Sequence, residues 1–178
     1  MGRLQKVKAR FDGSHQRRED GDIIGIGYMI GNKRFKERYI AGEKLDSSFA
    51  ELLALMSLVQ ELLQYKNCAI YIEGDNQDVV RRISKKRLIK NHEIQSEYII
   101  LLLEELKQNN HVQLTWICRE KNHDCDALAS HLEKFIFKYR TITNTIRKRV
   151  IYDHFADKAQ ETFHQWLQSN PQFQSVNI

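Results

Sequence analysis

The spacing of hydrophobic and polar residues divides the chain into a strand-rich first part and a second part in which helices and strands alternate. Short segments with alternating or continuous apolar residues, bounded by turn-forming residues, are typical of strands. Gly31-Asn32 separates two such segments and is a common hairpin turn. The pattern predicts five strands, over residues 7–11, 23–30, 34–40, 68–73 and 112–118.

Apolar residues at helical spacing fill much of the remaining chain. Residues 49–65 are dense in leucine and contain neither glycine nor proline, which predicts a helix that is apolar over most of its circumference. Other segments with helical spacing predict three further helices, over residues 76–84, 92–109 and 124–139. The order β-β-β-α-β-α-α-β-α predicts an α/β fold, in which helices flank a mixed sheet that begins with a hairpin-built meander.

Length and composition are typical of a single globular domain. The chain has 178 residues, of which 42% are hydrophobic, and this is enough to bury one core. No apolar run has the length of a signal peptide or of a membrane span, so we expect a cytoplasmic protein that does not enter a membrane. Cys68, Cys118 and Cys125 lie within apolar segments, as expected for thiols in a reducing compartment.

Basic residues outnumber acidic residues, with 28 Lys and Arg against 23 Asp and Glu, which gives a net charge of +5. This excess is compatible with a polyanionic partner, although many proteins of similar charge do not bind nucleic acid. Lysine and arginine are concentrated in residues 85–90, between two predicted helices.

Acidic residues at the ends of predicted strands and the starts of predicted helices are the candidates for chemistry. Asp75 follows a predicted strand within the sequence IYIEGDNQDVV, where the residue types are compatible with a turn and with a metal ligand. Asp12 ends the first strand, where it would equally form an Asx turn. Asp126 opens the last predicted helix, where a carboxylate also interacts favourably with the helix N-terminus.

Glu51 also has two interpretations. It forms a capping box with Ser48, in which its carboxylate would accept the backbone N–H of the cap residue. It also shares a helical stripe with Leu55 and Leu58, which predicts that it faces protein and needs a partner. Convergent carboxylates hold hard divalent cations through oxygen ligands. Four acidic residues in such positions therefore favour a metal site.

Four sequence blocks, in this order, resemble the type 1 ribonuclease H family. They are DGS at 12–14, AELLAL at 50–55, GDNQDVV at 74–80 and REKNHDCDALA at 119–129. The resemblance implies a ribonuclease H-like domain over residues 1–138, with a five-stranded mixed sheet flanked by helices. A C-terminal extension then occupies residues 139–178.

The resemblance implies an endonuclease that hydrolyses the RNA strand of RNA–DNA hybrids with two Mg²⁺ or Mn²⁺ ions. Carried over to this sequence, the catalytic and metal-binding carboxylates are Asp12, Glu51, Asp75 and Asp126. Two such ions activate a water and stabilise the leaving oxygen in an in-line displacement. The family recognises the hybrid by its shape and 2′-hydroxyl groups, and the matching minor-groove contacts are Gln77, Ser14 and Ser48. Basic residues that would contact phosphates, or would form an ordinary solvated surface, are Arg17, Arg18, Lys85, Lys86 and Arg87.

The chain departs from the family pattern around the predicted site. Asp46 precedes Glu51 where its charge would repel a phosphate, and the loop after residue 14 has a different composition. Lys8 and Arg10 share strand parity with Asp12, where they would either mark a thin face of the sheet or compensate the acidic site.

His123 is the nearest match to the histidine that many bacterial members carry ahead of the last motif, but its offset differs. It is a candidate auxiliary catalytic residue, and an exposed histidine at a helix start is the favoured interpretation.

Two alternative functions fit the same residues. One is a catalytically weak or inactive nucleic-acid-binding protein that retains the carboxylates without productive substrate geometry. The other is a DEDD-type 3′→5′ exonuclease, which is disfavoured because its first motif requires Asp-x-Glu where this chain has Asp12-Gly13-Ser14.

Residues 139–178 lie beyond the resemblance. Aromatic and aliphatic residues at near-helical spacing predict an amphipathic helix over residues 152–168. We expect its apolar face to pack on the domain, or to form a homodimer or protein-partner surface.

Overall fold

Five strands form one mixed sheet in the computed structural model, which describes residues 4–17, 22–41 and 46–130. Their spatial order is β3-β2-β1-β4-β5. The central strand β1 pairs antiparallel with β2 and parallel with β4, while β3 and β5 form the edges. The strands are β1 Gln5–Gln16, β2 Asp22–Ile30, β3 Lys33–Ala41, β4 Cys68–Gly74 and β5 His111–Trp116. The predicted α/β fold with a five-stranded mixed sheet is confirmed.

The helices follow the predicted order. They are α1 Ser47–Leu62, α2 Gln77–Ser84, α3 Glu93–Asn109 and α4 His123–Ser130, and a short 3₁₀ helix, Arg119–Lys121, lies between β5 and α4. The end of the fourth predicted helix lies outside the described residues, as do the extension over residues 139–178 and the amphipathic helix predicted within it. The domain boundary at residue 138 therefore stays a prediction.

The core lies between one face of the sheet and α1. Val7, Ala9 and Phe11 alternate along β1 toward this face and are buried. The leucines of α1 are buried on several sides of the helix, as its wide apolar arc predicts. The main buried leucines of this helix are Leu52, Leu53, Leu55, Leu58 and Leu62.

The opposite face of β1 carries cations that pair within the sheet. Lys8 Nζ and Arg10 Nε lie 3.2 Å and 2.9 Å from Glu73 Oε2 on β4. Lys8 and Arg10 therefore pair with Glu73, and the interpretation that they also compensate the acidic site stays a prediction.

The cysteines are free thiols, as predicted from the sequence. All three cysteines lie in the described part of the chain and are free, and Cys68 and Cys125 are buried. Within residues 4–17, 22–41 and 46–130, no helix combines the length and the apolar character needed to cross a membrane.

Candidate metal centre

Asp12 and Glu51 meet because β1 and α1 approach each other backbone to backbone. A Cβ at Gly13 would lie 2.2–2.4 Å from backbone atoms of Ala50 and Glu51, so this contact requires glycine. The Gly13 backbone N–H donates a hydrogen bond to the Glu51 carboxylate, which also hydrogen-bonds the Asp12 carboxyl. Both acidic residues are 5% exposed, so their carboxyl groups are almost completely removed from solvent.

The start of α1 shows that Glu51 does not cap the helix. Asp46 is the N-cap residue, and its Oδ1 accepts the backbone N–H of Phe49 at 2.8 Å. The helix therefore begins before Ser48, which leaves no capping box for Glu51 to complete. The capping-box interpretation was wrong, and the prediction of a buried Glu51 with a protein partner is confirmed.

Asp75 joins these two carboxylates at the end of β4. The prediction that the first strand ends before Asp12, with an Asx turn there, was wrong, because β1 continues to Gln16 and Asp12 pairs with Gly27 of β2. Phe11 and Gly74 are the last paired residues of the parallel strands β1 and β4, so the residues that follow them, Asp12 and Asp75, lie side by side. One ligand oxygen from each of Asp12, Glu51 and Asp75 lies within 4.8 Å of the others. The cap of α2 is Asn76, whose side chain accepts the Val79 N–H at 3.1 Å, so the Asp75 carboxylate is not the cap of this helix.

Asp126 lies beside this three-carboxylate cluster. It is in the first turn of α4, and its Oδ1 accepts a hydrogen bond from Arg119 Nη2 at 2.9 Å. It is close enough to Asp12 to raise the pKa of that carboxyl group. The structure thus brings three of the four predicted ligands together, and it places Asp126 next to them in an ion pair.

Burial and mutual repulsion make it unfavourable for all three carboxyl groups of the cluster to be ionised without a cation. Burial, followed by the charges of Asp75 and Asp126, raises the pKa of Asp12 from its ordinary value of 3.8 to about 7. Burial and the neighbouring carboxylates also raise the pKa of Glu51 well above its ordinary value. Among the described residues, Glu51 Oε2 is buried without a hydrogen-bond partner.

These features fit a hard divalent cation. Mg²⁺ and Mn²⁺ take oxygen ligands, and a cation would neutralise the repulsion and give the unpartnered Glu51 oxygen a ligand role. Asp12, Glu51 and Asp75 would hold it, with Asp126 close enough to contribute.

Without divalent cations, the protein is expected to lose stability as the pH rises from about 5 to about 8. The folded pKa of Asp12 lies above its ordinary 3.8, so the folded state binds this proton more tightly than the unfolded state. This stabilisation is complete below the ordinary pKa and is lost as the pH rises through about 7. Urea unfolding in a chelator should show a loss on the order of 2–4 kcal/mol in the free energy of unfolding.

A divalent cation should reverse this trend, because metal ligands must be deprotonated and the cation therefore stabilises the fold more at higher pH. The control is Asp78→Asn, which changes an exposed carboxylate on α2 and should keep the wild-type pH trend. A metal-free protein whose stability is flat or increases over this pH range would contradict the raised pKa of Asp12.

The residues predicted to contact the minor groove lie near the cluster. Gln77 is exposed and opens α2, two residues after Asp75. Ser48 is half-buried in the first turn of α1. Ser14 Oγ instead donates to the Ala129 carbonyl at 2.9 Å, which ties β1 to α4. Their contact with a substrate stays a prediction.

Of the five basic residues predicted to contact phosphates, the structure describes four. Arg17 is exposed just after β1, and Arg18 lies outside the described residues. Lys85, Lys86 and Arg87 are exposed in the turn after α2, where Lys86 Nζ pairs with Glu104 Oε2 at 2.8 Å.

The turn that carries these cations is anchored to the helix that carries Glu51. His92, at the end of the turn, is buried, and its Nε2 lies 2.9 Å from both Asp46 oxygens. Asp46 accepts hydrogen bonds at the start of α1, and its pKa is lowered although partial burial opposes the shift. This structural role accounts for an acidic residue at a position where it would otherwise repel phosphate.

His123 is exposed at the first position of α4, as favoured from the sequence. Three residues that the sequence interpretation did not assign form hydrogen bonds to the site carboxylates or to the backbone beside them. Arg119 pairs with Asp126, Trp116 Nε1 donates to the Asp75 carbonyl at 2.9 Å, and Asn122 donates to the Phe11 carbonyl. Asn122 precedes Asp126 by one helical turn, and this spacing was the one local signal for its proximity.

Comparison with known proteins shows which family profile and which solved structures this chain resembles. The profile of the reverse transcriptase-like family matches residues 10–132. A crystal structure of LC11 ribonuclease H1 in complex with an RNA/DNA hybrid is 21% identical, with 73% of this chain and 99% of that chain covered and a TM-score of 0.56. Ribonuclease H1 from Halobacterium salinarum is 20% identical, with 72% and 98% covered and a TM-score of 0.52. The N-terminal ribonuclease H domain of a Mycobacterium tuberculosis protein is 17% identical, with 76% and 99% covered and a TM-score of 0.57.

Proposed function

The chain belongs to the reverse transcriptase-like family and is a type 1 ribonuclease H-like protein, and on this premise we propose that it is a divalent-cation-dependent endonuclease that hydrolyses the RNA strand of RNA–DNA hybrids. The observation that carries the proposal is the buried cluster of Asp12, Glu51 and Asp75 at one edge of the sheet. The similar LC11 ribonuclease H1 was crystallised with an RNA/DNA hybrid, which supports this substrate class.

The four carboxylates have distinct parts in the proposed reaction. Asp12, Glu51 and Asp75 would hold Mg²⁺ or Mn²⁺, and the position of Asp126 beside them supports a share in a two-ion site. The bound ions would activate a water and stabilise the leaving 3′ oxygen, so the protein need not supply a nucleophile. Asp12 and Glu51 are almost completely buried, so a cation bound by them would be largely shielded from solvent on their side.

Arg119 adds a positive charge at the open side of the cluster. Its side chain is 77% exposed while it pairs with Asp126, and its guanidinium also interacts electrostatically with Asp12 and Asp75. An exposed guanidinium is suited to a phosphate oxygen. We assign it a contact with the substrate backbone next to the cleaved bond.

The substrate path runs from the cluster toward the basic turn. Gln77 and Ser48 flank the cluster on α2 and α1 and would face the minor groove, with Ser14 supporting this region. Lys85, Lys86 and Arg87 lie at the other end of α2, about 12 Å along the helix axis. Arg17 and Arg18 would contact phosphates near the end of β1. This arrangement reads shape and 2′-hydroxyl groups, not base sequence.

The competing function is nucleic-acid binding without cleavage. Asp46 and the altered loop after residue 14 were the sequence arguments for it, and the pairing of Asp46 with His92 and the Phe49 N–H weakens the first of them. The exonuclease alternative remains disfavoured, because the first motif is Asp12-Gly13-Ser14 and lacks the required glutamate.

Cleavage assays with strand-specific labels test the proposed function. With Mg²⁺ or Mn²⁺, we expect internal cuts in the RNA strand of a hybrid, weak cutting of double-stranded RNA and none of double-stranded DNA. Binding should weaken steeply with salt, because phosphate contacts release counterions. A chelator should abolish cleavage and leave the fold intact.

Each competing function has its own signature in the same assay. Binding of the hybrid without cleavage in either metal would indicate the non-catalytic alternative. A single-nucleotide ladder from the 3′ end would indicate an exonuclease. Equal cutting of all three duplexes would contradict the proposed substrate class.

A further inference from the structure

Asn122 connects two parts of the candidate metal centre that are far apart in the sequence. It is fully buried between the 3₁₀ helix and α4. Its side-chain Nδ2 donates to the Phe11 carbonyl at 2.8 Å, a contact between residues 111 positions apart. Its own carbonyl accepts the backbone N–H groups of Cys125 and Asp126, both at 3.0 Å. One residue thus holds the backbone next to Asp12 and the helical turn that carries Asp126.

The side chain of Asn122 is incompletely satisfied. Its Oδ1 is buried and has no hydrogen-bond partner among the described residues. Leaving a buried polar atom unpaired costs about 1–3 kcal/mol, so the amide is a poor choice if stability alone is required. The contact that explains an asparagine at this position is the hydrogen bond from its Nδ2 to the β1 backbone next to Asp12.

Asn110 shows how a purely structural asparagine is satisfied in this fold. Its Oδ1 accepts the Cys68 N–H at 3.0 Å, and its Nδ2 donates to the Tyr65 and Leu106 carbonyls at 2.8 Å and 3.1 Å. Both ends of this amide are used, and it joins the end of α3 to the start of β4. Asn110 is therefore a matched control for Asn122.

We propose that Asn122 is a positioning residue that sets Asp126 relative to Asp12, so that Asp126 adds to cation binding at the cluster. Asp126 lies on α4, outside the compact set of Asp12, Glu51 and Asp75. Ser14 also ties α4 to β1, through the Ala129 carbonyl, but the Asn122 contact joins the first turn of α4, which carries Asp126, to the residue next to Asp12. The inference rests on the proposed function, since it requires a cation at the cluster.

Mn²⁺ titration of the full chain by calorimetry tests this inference. Asn122→Ser keeps a residue that suits a helix N-terminus but is too short to reach the Phe11 carbonyl. We expect its Mn²⁺ affinity to fall roughly 10-fold or more, as for residues that orient metal ligands. Asn110→Ala should lower the melting temperature and leave Mn²⁺ affinity at the wild-type value.

The effect of Asp126→Asn on Mn²⁺ affinity, compared between backgrounds, distinguishes a positioning role of Asn122 from a general loss of stability. Asp126→Asn should weaken Mn²⁺ binding strongly in the wild type and in Asn110→Ala. In the Asn122→Ser background the same change should have little further effect, because Asp126 no longer contributes there. If the serine variant does not fold, Asn122→Ala serves instead, because it leaves no unpaired hydroxyl in the buried position.

Three results would overturn the inference, and they differ in what they imply for the proposed function. Wild-type Mn²⁺ affinity in the Asn122 variant, or an undiminished effect of Asp126→Asn in that background, would reject Asn122 as a positioning residue and leave the proposed function intact. A wild-type protein that neither binds Mn²⁺ nor cleaves a hybrid would reject both.

Discussion

Asp75→Asn is expected to reduce hybrid cleavage by at least about 100-fold while leaving the fold intact, because changing even residues that only orient metal ligands typically costs 10–100-fold. The substitution removes a charged ligand from the cluster of Asp12, Glu51 and Asp75. The Asp75 charge also raises the pKa of Asp12 and Glu51, so neutralising it relieves repulsion in the metal-free protein. The melting temperature in a chelator should therefore hold or rise. Initial cleavage rates and thermal melting of the same preparation measure both effects.

Asp78→Asn is the matched control for this variant. Asp78 lies three positions further along on α2, is exposed, and pairs with Arg81 and Arg82. Its substitution should retain cleavage close to the wild-type rate and change stability little, as is usual for surface ion pairs. Full activity of Asp75→Asn with wild-type metal dependence would exclude the cluster as the catalytic centre.

Gly13→Ala is expected to destabilise the protein by about 3 kcal/mol or more, at or above the upper end of ordinary overpacking. The added methyl would overlap backbone atoms of Ala50 and Glu51, and these atoms cannot move unless α1 shifts as a whole. A loss of this size corresponds to a fall in melting temperature on the order of 10 °C. The same shift should separate Glu51 from Asp12 and weaken Mn²⁺ binding. Denaturant unfolding and calorimetry measure the two losses.

Gly31→Ala controls for the general effect of replacing a glycine. A Cβ at Gly31 meets nothing within 4 Å, and its positive φ of 57° adds only backbone strain, on the order of 1 kcal/mol. Mn²⁺ affinity should be unchanged in this variant. If Gly13→Ala were as stable as the wild type and bound Mn²⁺ equally well, the close approach of β1 and α1 would not be needed for the site.

The sequence determined the element order, the mixed sheet and the identity of the candidate carboxylates. These features have local signals: apolar alternation marks strands, leucine at helical spacing marks α1, and Asp12 and Asp75 come directly after the apolar segments of β1 and β4. The four motif blocks added the family and the assignment of Asp126. Burial of Glu51 could also be predicted, because its helical stripe is otherwise apolar.

The tertiary structure decided which partner each polar group has. Glu51 had two locally acceptable partners, and the approach of β1 at Gly13 selected Asp12. Asp46 is a charged residue before a helix in the sequence, whereas in the fold it caps α1 and binds His92, which is 46 positions away. Lys8 and Arg10 bind Glu73 because parallel pairing places β4 beside β1.

The contacts of α4 were the least accessible from the sequence. Arg119 in the 3₁₀ helix pairs with Asp126 in α4, and Asn122 reaches Phe11 across 111 positions. Local periodicity shows that a residue is buried or lies at the end of an element. It contains no information about which distant backbone will lie opposite, because that is fixed by strand register and helix packing over the whole sheet.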